Sequence, residues 1–390
     1  MKIISARPQA PSEVFLPTEI VIQIVSAVAQ DGDLDARQET LYRCCLVSRQ
    51  WYSAAVPFLY ERPRLGGGKS FEKFTAVVCP PVRAPKSRTN LGSLVRRLDM
   101  SRLVHHSTKS LTARLLGRVR ENLEVFIAPA ASFSINSLPS LSKCSNLRYL
   151  DLSLVNETIP FPSLKKAISQ LPKLTSLRLP RFTTLTDPDR LPWPPKLQRL
   201  QVSGKFADDM QSFLWPENLT RLTLKNCADL SFHAMRRLVA NPQLGRSLRR
   251  LTVSTFNRGL QTESIQVILS YLPNLVFLSV PGDLVFDDFF DTLRRGYYQQ
   301  RAQQPLALEV LELSFSHTGD AREFEWQSLI DTLDNALANL RAVGVHDMFL
   351  GELLPDELDD ALTERAEKRK LPMSEDTEEW GVGVYCIDDD

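Results

Sequence analysis

Cys44 and Cys45 stand side by side in the stretch CCLVSRQWY, residues 44–52, close to Trp51. Neighbouring thiols can hold zinc, cycle between dithiol and disulfide, or fill space. Neither metal nor redox chemistry has the spacing it needs, because Cys44, Cys45, Cys79, Cys144, Cys227 and Cys386 form no C-x-x-C. Adjacent cysteines rarely bridge each other, since the geometry is strained. Scattered single cysteines fit a reducing compartment, where a free thiol behaves as a small core hydrophobe. The five histidines, His105, His106, His233, His317 and His346, make no H-x-x-x-H pair and flank no nucleophile motif. LGGGKS, residues 65–70, resembles a phosphate loop only in part, because the glycine required five positions before Gly68 is Pro63. It is expected to be a flexible turn. The chain is therefore expected to be no enzyme, with no catalytic residue, metal or cofactor.

The elements that carry the remaining chemistry must be read from the whole chain. It has 390 residues, 43% hydrophobic and 24% charged, with a net charge of +1. That is a globular composition without a global field to attract nucleic acid or membrane. The N-terminus lacks a long apolar run, so no secretion signal is expected, and no apolar stretch approaches the ~20 residues of a membrane span. The expected location is intracellular, in cytoplasm or nucleus. Charge is unevenly distributed: residues 61–125 hold 14 Lys/Arg against 5 Asp/Glu, whereas nothing basic follows Lys370.

A pattern L-x-x-L-x-[L/V] recurs along most of the chain. It reads LRYLDL from Leu147, LTSLRL from Leu174, LQRLQV from Leu197 and LTRLTL from Leu219. It continues as LRRLTV from Leu248, LVFLSV from Leu275, LEVLEL from Leu308 and LRAVGV from Leu340, with degenerate copies from Val95 and Leu123. The residues ending each unit alternate apolar and variable, as a strand with one buried face requires. Helical spacing follows in several copies: Ile265, Ile268, Leu269 and Leu272 share one face, with Thr262 placed as a cap, and Phe232, Met235, Leu238 and Val239 share another. So short a strand cannot bury its face alone, but ten stacked strands share one core. The array resembles leucine-rich repeats. The resemblance is uneven, because successive copies lie 22 to 33 residues apart and only Cys227 fills the usual Asn/Cys position. The expectation is an irregular α/β arc of about ten strand–helix units.

In each copy the third and fifth residues face away from the core. Third positions read Arg97, Val125, Tyr149, Ser176, Arg199, Arg221, Arg250, Phe277, Val310 and Ala342. Three consecutive arginines would stand on strands ~4.8 Å apart, an unfavourable array unless anions meet it. Arginine suits bidentate capture of carboxylate or phosphate. Tyr149, Arg178, Arg199, Arg221, Lys225, Arg250 and Phe277 are thus the candidate target-binding residues, for an acidic or phosphorylated protein segment. The alternatives are a solvated row or one neutralised by the chain's own acidic tail. That tail is expected to be partly disordered, although WGVGVYCI within it is apolar enough to dock as a last strand.

Ahead of the repeats, LPTEI is followed by aliphatics at helical spacing, Ile20, Ile24 and Val28, and then by LYRCCLVSRQWYSAAVPFLY. Pro17 suits the start of a helix, and Glu19 complements its dipole. Leu41, Cys45, Val47, Trp51 and Ala55 fall mostly on one side of a helix or helix pair, so Cys44 and Cys45 read as packing residues. This stretch resembles an F-box, and VPFLYERPRL is similar to F-box proteins of filamentous fungi. Residues 30–38, QDGDLDARQ, lengthen the link beyond the usual spacing.

The resemblance implies a three-helix unit that docks an adaptor and, through it, a cullin. The matching positions are Leu16, Pro17, Ile20, Ile24, Leu46, Val47 and Trp51. The expected organisation is an F-box at 14–60, a leucine-rich-repeat array at 61–350, and a C-terminal helix and acidic tail at 351–390. The expected function is the substrate-recognition subunit of a cullin-based ubiquitin ligase. The alternative is an F-box and repeat scaffold acting outside a ligase.

Overall fold

The computed structural model describes residues 16–80, 90–103, 107–186, 190–206, 210–285, 287–299, 304–316, 326–349, 356–369 and 374–387. His105, His106, His317 and the last three aspartates lie outside them.

The first unit is helical. Pro17 stands just ahead of α1 (Thr18–Ala29), as its missing N–H and fixed φ favour. α2 (Leu34–Val47) and α3 (Arg49–Glu61) form a pair broken at Ser48, whose Oγ accepts from the Trp51 amide at 3.3 Å. The 30–38 insertion largely continues structure: Asp33 caps α2 by accepting from the amides of Asp35 and Ala36, so residues 34–38 are its first turn and more. Val21, Val25, Leu41, Ala54 and Ala55 form a small separate core, with Leu16, Cys44, Cys45, Trp51, Phe58 and Leu59 packed around it. The thiols are therefore packing residues as expected. Val47 is not on the buried side, because it ends α2 where the chain turns outward.

LGGGKS is not simply a flexible turn. Gly68, Lys69 and Ser70 open α4 (Gly68–Val78), and the Ser70 hydroxyl donates to the Gly67 carbonyl and accepts from the Gly67 amide. Phe71, Phe74 and Val78, at i, i+3 and i+7, carry that helix into the repeat core.

The repeats form one parallel sheet. β1 (Arg97–Asp99), β2 (Val125–Ile127), β3 (Tyr149–Asp151) and β4 (Ser176–Arg178) pair in chain order. A side strand, β5 (Thr184–Leu185), pairs with β6 (Arg199–Phe206), which itself follows β4 in the ladder. Then come β7 (Arg221–Cys227), β8 (Arg250–Val253), β9 (Phe277–Pro281), β10 (Val310–Ser314), β11 (Ala342–His346) and β12 (Gly383–Ile387). Every third-position residue pairs with its counterpart, from Arg97↔Val125 to Val310↔Ala342. The motif leucines lie beneath in one continuous core. The fold is the expected α/β arc, three N-terminal helices followed by an irregular array of strand repeats in one parallel sheet.

Two devices tie copy to copy. The residue before the motif leucine is Asn122, Asn146, Asn218, Asn274 or Asn339 in five copies, and each amide donates to a backbone carbonyl of the preceding copy at 2.6–3.0 Å. Asn257 takes the usual asparagine role near Cys227, accepting from the Cys227 amide and donating to the carbonyls of Leu224 and Ser254. Gly204 has φ +100°, and an added Cβ would meet the Thr183 carbonyl at 2.0 Å, so only glycine fits where β5 joins β6.

Helix details depart from expectation in two places. The helix containing Ile265 breaks at Val267, and its cap is Gln261, whose amide donates to the Ser264 hydroxyl, rather than Thr262. The tail is ordered from Ser374 to Ile387, because its apolar part completes the sheet as β12, with Ala342↔Gly383 in register.

Candidate functional site

Two surfaces bring candidate residues together. The first lies on the helical unit. Along α1 the buried line is Val21 and Val25, each 0% exposed, so Ile20 and Ile24, one step round the helix, face outward at 40% each. Leu46 and Val47, at the end of α2, are 68% and 64% exposed. The amide of Gln50 donates to the Leu16 carbonyl at 2.8 Å and to Thr18 Oγ1 at 3.1 Å, joining the start of α1 to the α2–α3 junction. Pro17 is exposed beside them, while Leu16 and Trp51 are half-buried against the small core. Tyr52, also exposed, was not among the sequence candidates. Apolar side chains this exposed are a cost in water unless something covers them.

The second surface is the sheet face opposite the core. Arg199, Arg221, Arg250 and Phe277 are neighbours in register on β6 to β9. The acidic tail lies over this row, the alternative that its charge offered. Arg221 Nη2 is 3.2 Å from Asp376 Oδ1, and Arg250 Nη1 is 2.9 Å from Glu379 Oε1 and 3.2 Å from the Asp376 carbonyl. The Arg250 guanidinium lies 4.5 Å from the Phe277 ring centroid and 4.4 Å from that of Trp380. Burial lowers its pKa, a shift opposed by the Glu379 hydrogen bond. Arg199 is exposed and Lys225 half-buried, and neither has an ion pair among the described residues.

Tyr149 and Arg178 stand apart from that row, on β3 and β4. Arg178 is held 3.1 Å from Asp151 Oδ2, and its guanidinium carbon lies 5.8 Å from the Tyr149 ring centroid. Tyr149 also donates to Asp151 at 3.2 Å.

Sequence reasoning missed the floor under the tail. Arg341, 1% exposed, donates to the carbonyls of Thr377, Trp380 and Gly381. Glu309 accepts from the amide and hydroxyl of Ser374 and from the Thr377 hydroxyl. Tyr385 donates to Glu312 at 2.9 Å, and burial raises both groups' pKa values. Phe277, Val310 and Ala342 make an apolar floor on which Trp380 and Tyr385 rest. The available signal was the shrinkage of the last copy to Ala342 and Gly344: a Cβ at 344 would lie 2.7 Å from the Tyr385 ring.

Burial pushes the Cys144 and Cys227 thiols up to about 12, which keeps them protonated and unreactive at neutral pH. Among the described residues no group of three or more His, Cys, Asp or Glu could hold a metal ion, and no helix is long and apolar enough to cross a membrane.

Comparison with known proteins finds a match over the first surface. Residues 14–65 match the F-box-like family model. The F-box protein YDR306C of Saccharomyces cerevisiae is 31% identical over 240 residues, 61% of this chain and 48% of that protein, so the match spans about half of the relative. Protein pof5 of Schizosaccharomyces pombe is 24% identical over 263 residues, 67% of this chain and 72% of that protein. Among solved structures, the yeast Rad7 and Elc1 complex aligns with 76% of this chain and 83% of the matched chain, at 15% identity and a TM-score of 0.36. An internalin of Listeria monocytogenes aligns with 87% of this chain and 88% of its own, at 14% identity and a TM-score of 0.36.

Proposed function

From a chain whose first helices are an F-box-like domain and whose remainder is a leucine-rich-repeat arc, we propose a non-catalytic substrate receptor of a cullin-based ubiquitin ligase. The helical unit binds the adaptor through Leu16, Pro17, Ile20, Ile24, Leu46, Val47 and Trp51. The repeat face holds a target protein, and other subunits supply the chemistry. The observation that carries this reading is the exposure of Ile20, Ile24, Leu46 and Val47 on one small unit whose own core is already filled by Val21, Val25 and Leu41. Apolar side chains this exposed, on a unit with a core of its own, fit a protein partner.

Half-buried Trp51 packs against the small core, while Leu46 and Val47 are exposed. On the target side, Arg199 and Lys225 lie beside the tail-covered part of the row and have no ion pair among the described residues.

The test is co-purification. The intact chain retains adaptor and cullin, and Leu16→Ala with Pro17→Ala lowers that retention at least tenfold without moving the melting midpoint of the repeats. Retention unchanged by the double substitution overturns the assignment of the surface. An intact chain that keeps the adaptor but never a cullin favours a scaffold outside the ligase.

A further inference from the structure

Residues 374–380, SEDTEEW, contact the sheet face as a bound peptide would. Their acids meet cations on neighbouring strands: Asp376 reaches Arg221, and Glu379, three residues on, reaches Arg250. Their aromatic residue inserts beside an aromatic of the face, with the Trp380 and Phe277 ring centroids 4.8 Å apart. Their backbone carbonyls are read by Arg341, and the Ser374 amide and hydroxyl and the Thr377 hydroxyl by Glu309. Side-chain charge, one aromatic and main-chain groups are contacts by which a peptide can be recognised, and here the segment meets them folded into two successive turns, with the Thr377 amide on the Ser374 carbonyl and the Trp380 amide on the Thr377 carbonyl. Glu375, Glu378 and Glu379 remain exposed, so the segment lies on the face rather than within the main core.

The face itself demands such an occupant. With the segment lifted, Arg221 and Arg250 stand on adjacent strands without Asp376 and Glu379, and the Phe277, Val310 and Ala342 floor loses Trp380 while keeping Tyr385. Like charges directly opposite in a sheet are destabilising, and a negative partner removes that cost. β12 provides a separate anchor through its pairing with β11 and the Val384 amide's bond to Asp359, so the segment can leave while the strand stays.

We propose that Arg221, Arg250, Phe277, Glu309 and Arg341 form a recognition site for an acidic peptide segment bearing an aromatic residue, which residues 374–380 occupy in cis and a target must displace. This rests on the reading that the repeat face captures the target. It adds the target's chemistry, two acids three residues apart followed by an aromatic, and a built-in competitor that sets the threshold for capture.

Two full-length variants open the site: Asp376→Asn with Glu379→Gln, which removes charge, and Asp376→Lys with Glu379→Lys, which adds repulsion. The probe is a fluorescent synthetic peptide SEDTEEWGV, read by anisotropy at low salt. Either opened variant that keeps a cooperative melt binds the probe at least tenfold tighter than the intact chain does. Replacing tryptophan by alanine in the probe, or its four acids by lysine, lowers binding at least tenfold. Adding Arg221→Glu and Arg250→Glu to the opened chain does the same. If folded opened variants bind no better than the intact chain, or bind the lysine probe equally well, the segment is a fixed cover and the proposal fails. Adaptor capture by the same variants is measured in parallel. Normal capture without peptide binding rejects this inference alone, whereas absent capture by the intact chain rejects the receptor reading and leaves the peptide result standing.

Discussion

Arg250 shows how a single side chain on an open sheet face can be held in two ways at once, by the Glu379 carboxylate and by stacking between Phe277 and Trp380. Its neighbour in this cluster, Glu312, carries the opposite burden. Burial raises its pKa, so at neutral pH its charged form costs the fold something that the unfolded chain avoids. Glu312→Gln keeps an acceptor for the Tyr385 hydroxyl and removes the buried charge. Its melting midpoint at pH 7 is expected above that of the wild type. As pH falls through the raised folded pKa of Glu312, the wild type becomes protonated and the difference shrinks, which parallel melting curves at several pH values will show. A difference that grows on acidification contradicts the assignment of burial as the main cause.

At the scale of elements, α1 divides its aliphatics by function. Val21→Ala or Val25→Ala deletes buried methyls and is expected to cost about 2 kcal/mol in denaturant unfolding of the helical unit. Ile20→Ala with Ile24→Ala is expected to change that stability by only about 0.5 kcal/mol while lowering adaptor retention. A larger stability loss at Ile20 and Ile24 than at Val21 and Val25 reverses the assignment. Between repeats, Asn274→Ala leaves the Gly245 carbonyl without its 3.0 Å donor and is expected to cost about 1 kcal/mol. Gly344→Ala must push the Tyr385 ring aside, so the β12 amides are expected to exchange hydrogen faster while those of β3 do not change.

The element scale is also where legibility in sequence was uneven. Strand positions followed from the leucine spacing, because the 2-residue alternation survives every change in connecting length. Third-position residues were placed in register by counting alone. Which side of α1 was buried was less legible, since valine and isoleucine alternate along it and both periodicities look apolar. α4 was hidden by the run Gly66–Gly68, which suggests a turn although Phe71, Phe74 and Val78 provide the core contacts that override the low helix propensity of Gly68. Tail docking involves pairs more than 100 residues apart, such as Arg250 with Glu379, and no local pattern announces them. Only the charge asymmetry pointed to a meeting of the row and the tail.

For the whole molecule, the arrangement separates two tasks: a small helical unit with its own core and exposed aliphatics, and a long repeat core bearing a polar, partly self-occupied face. In the proposed receptor the first holds the ligase and the second the target, so each can be impaired alone. The measurement that tests this most directly compares the partners of the intact chain with those of an Ile20→Ala, Ile24→Ala, Leu46→Ala, Val47→Ala variant, in cells with proteasome activity blocked. The account predicts that both capture the same targets, while ubiquitin-modified forms of those targets fall at least tenfold with the variant. Equal ubiquitin modification of the shared targets, or targets that never carry it with either chain, contradicts the account.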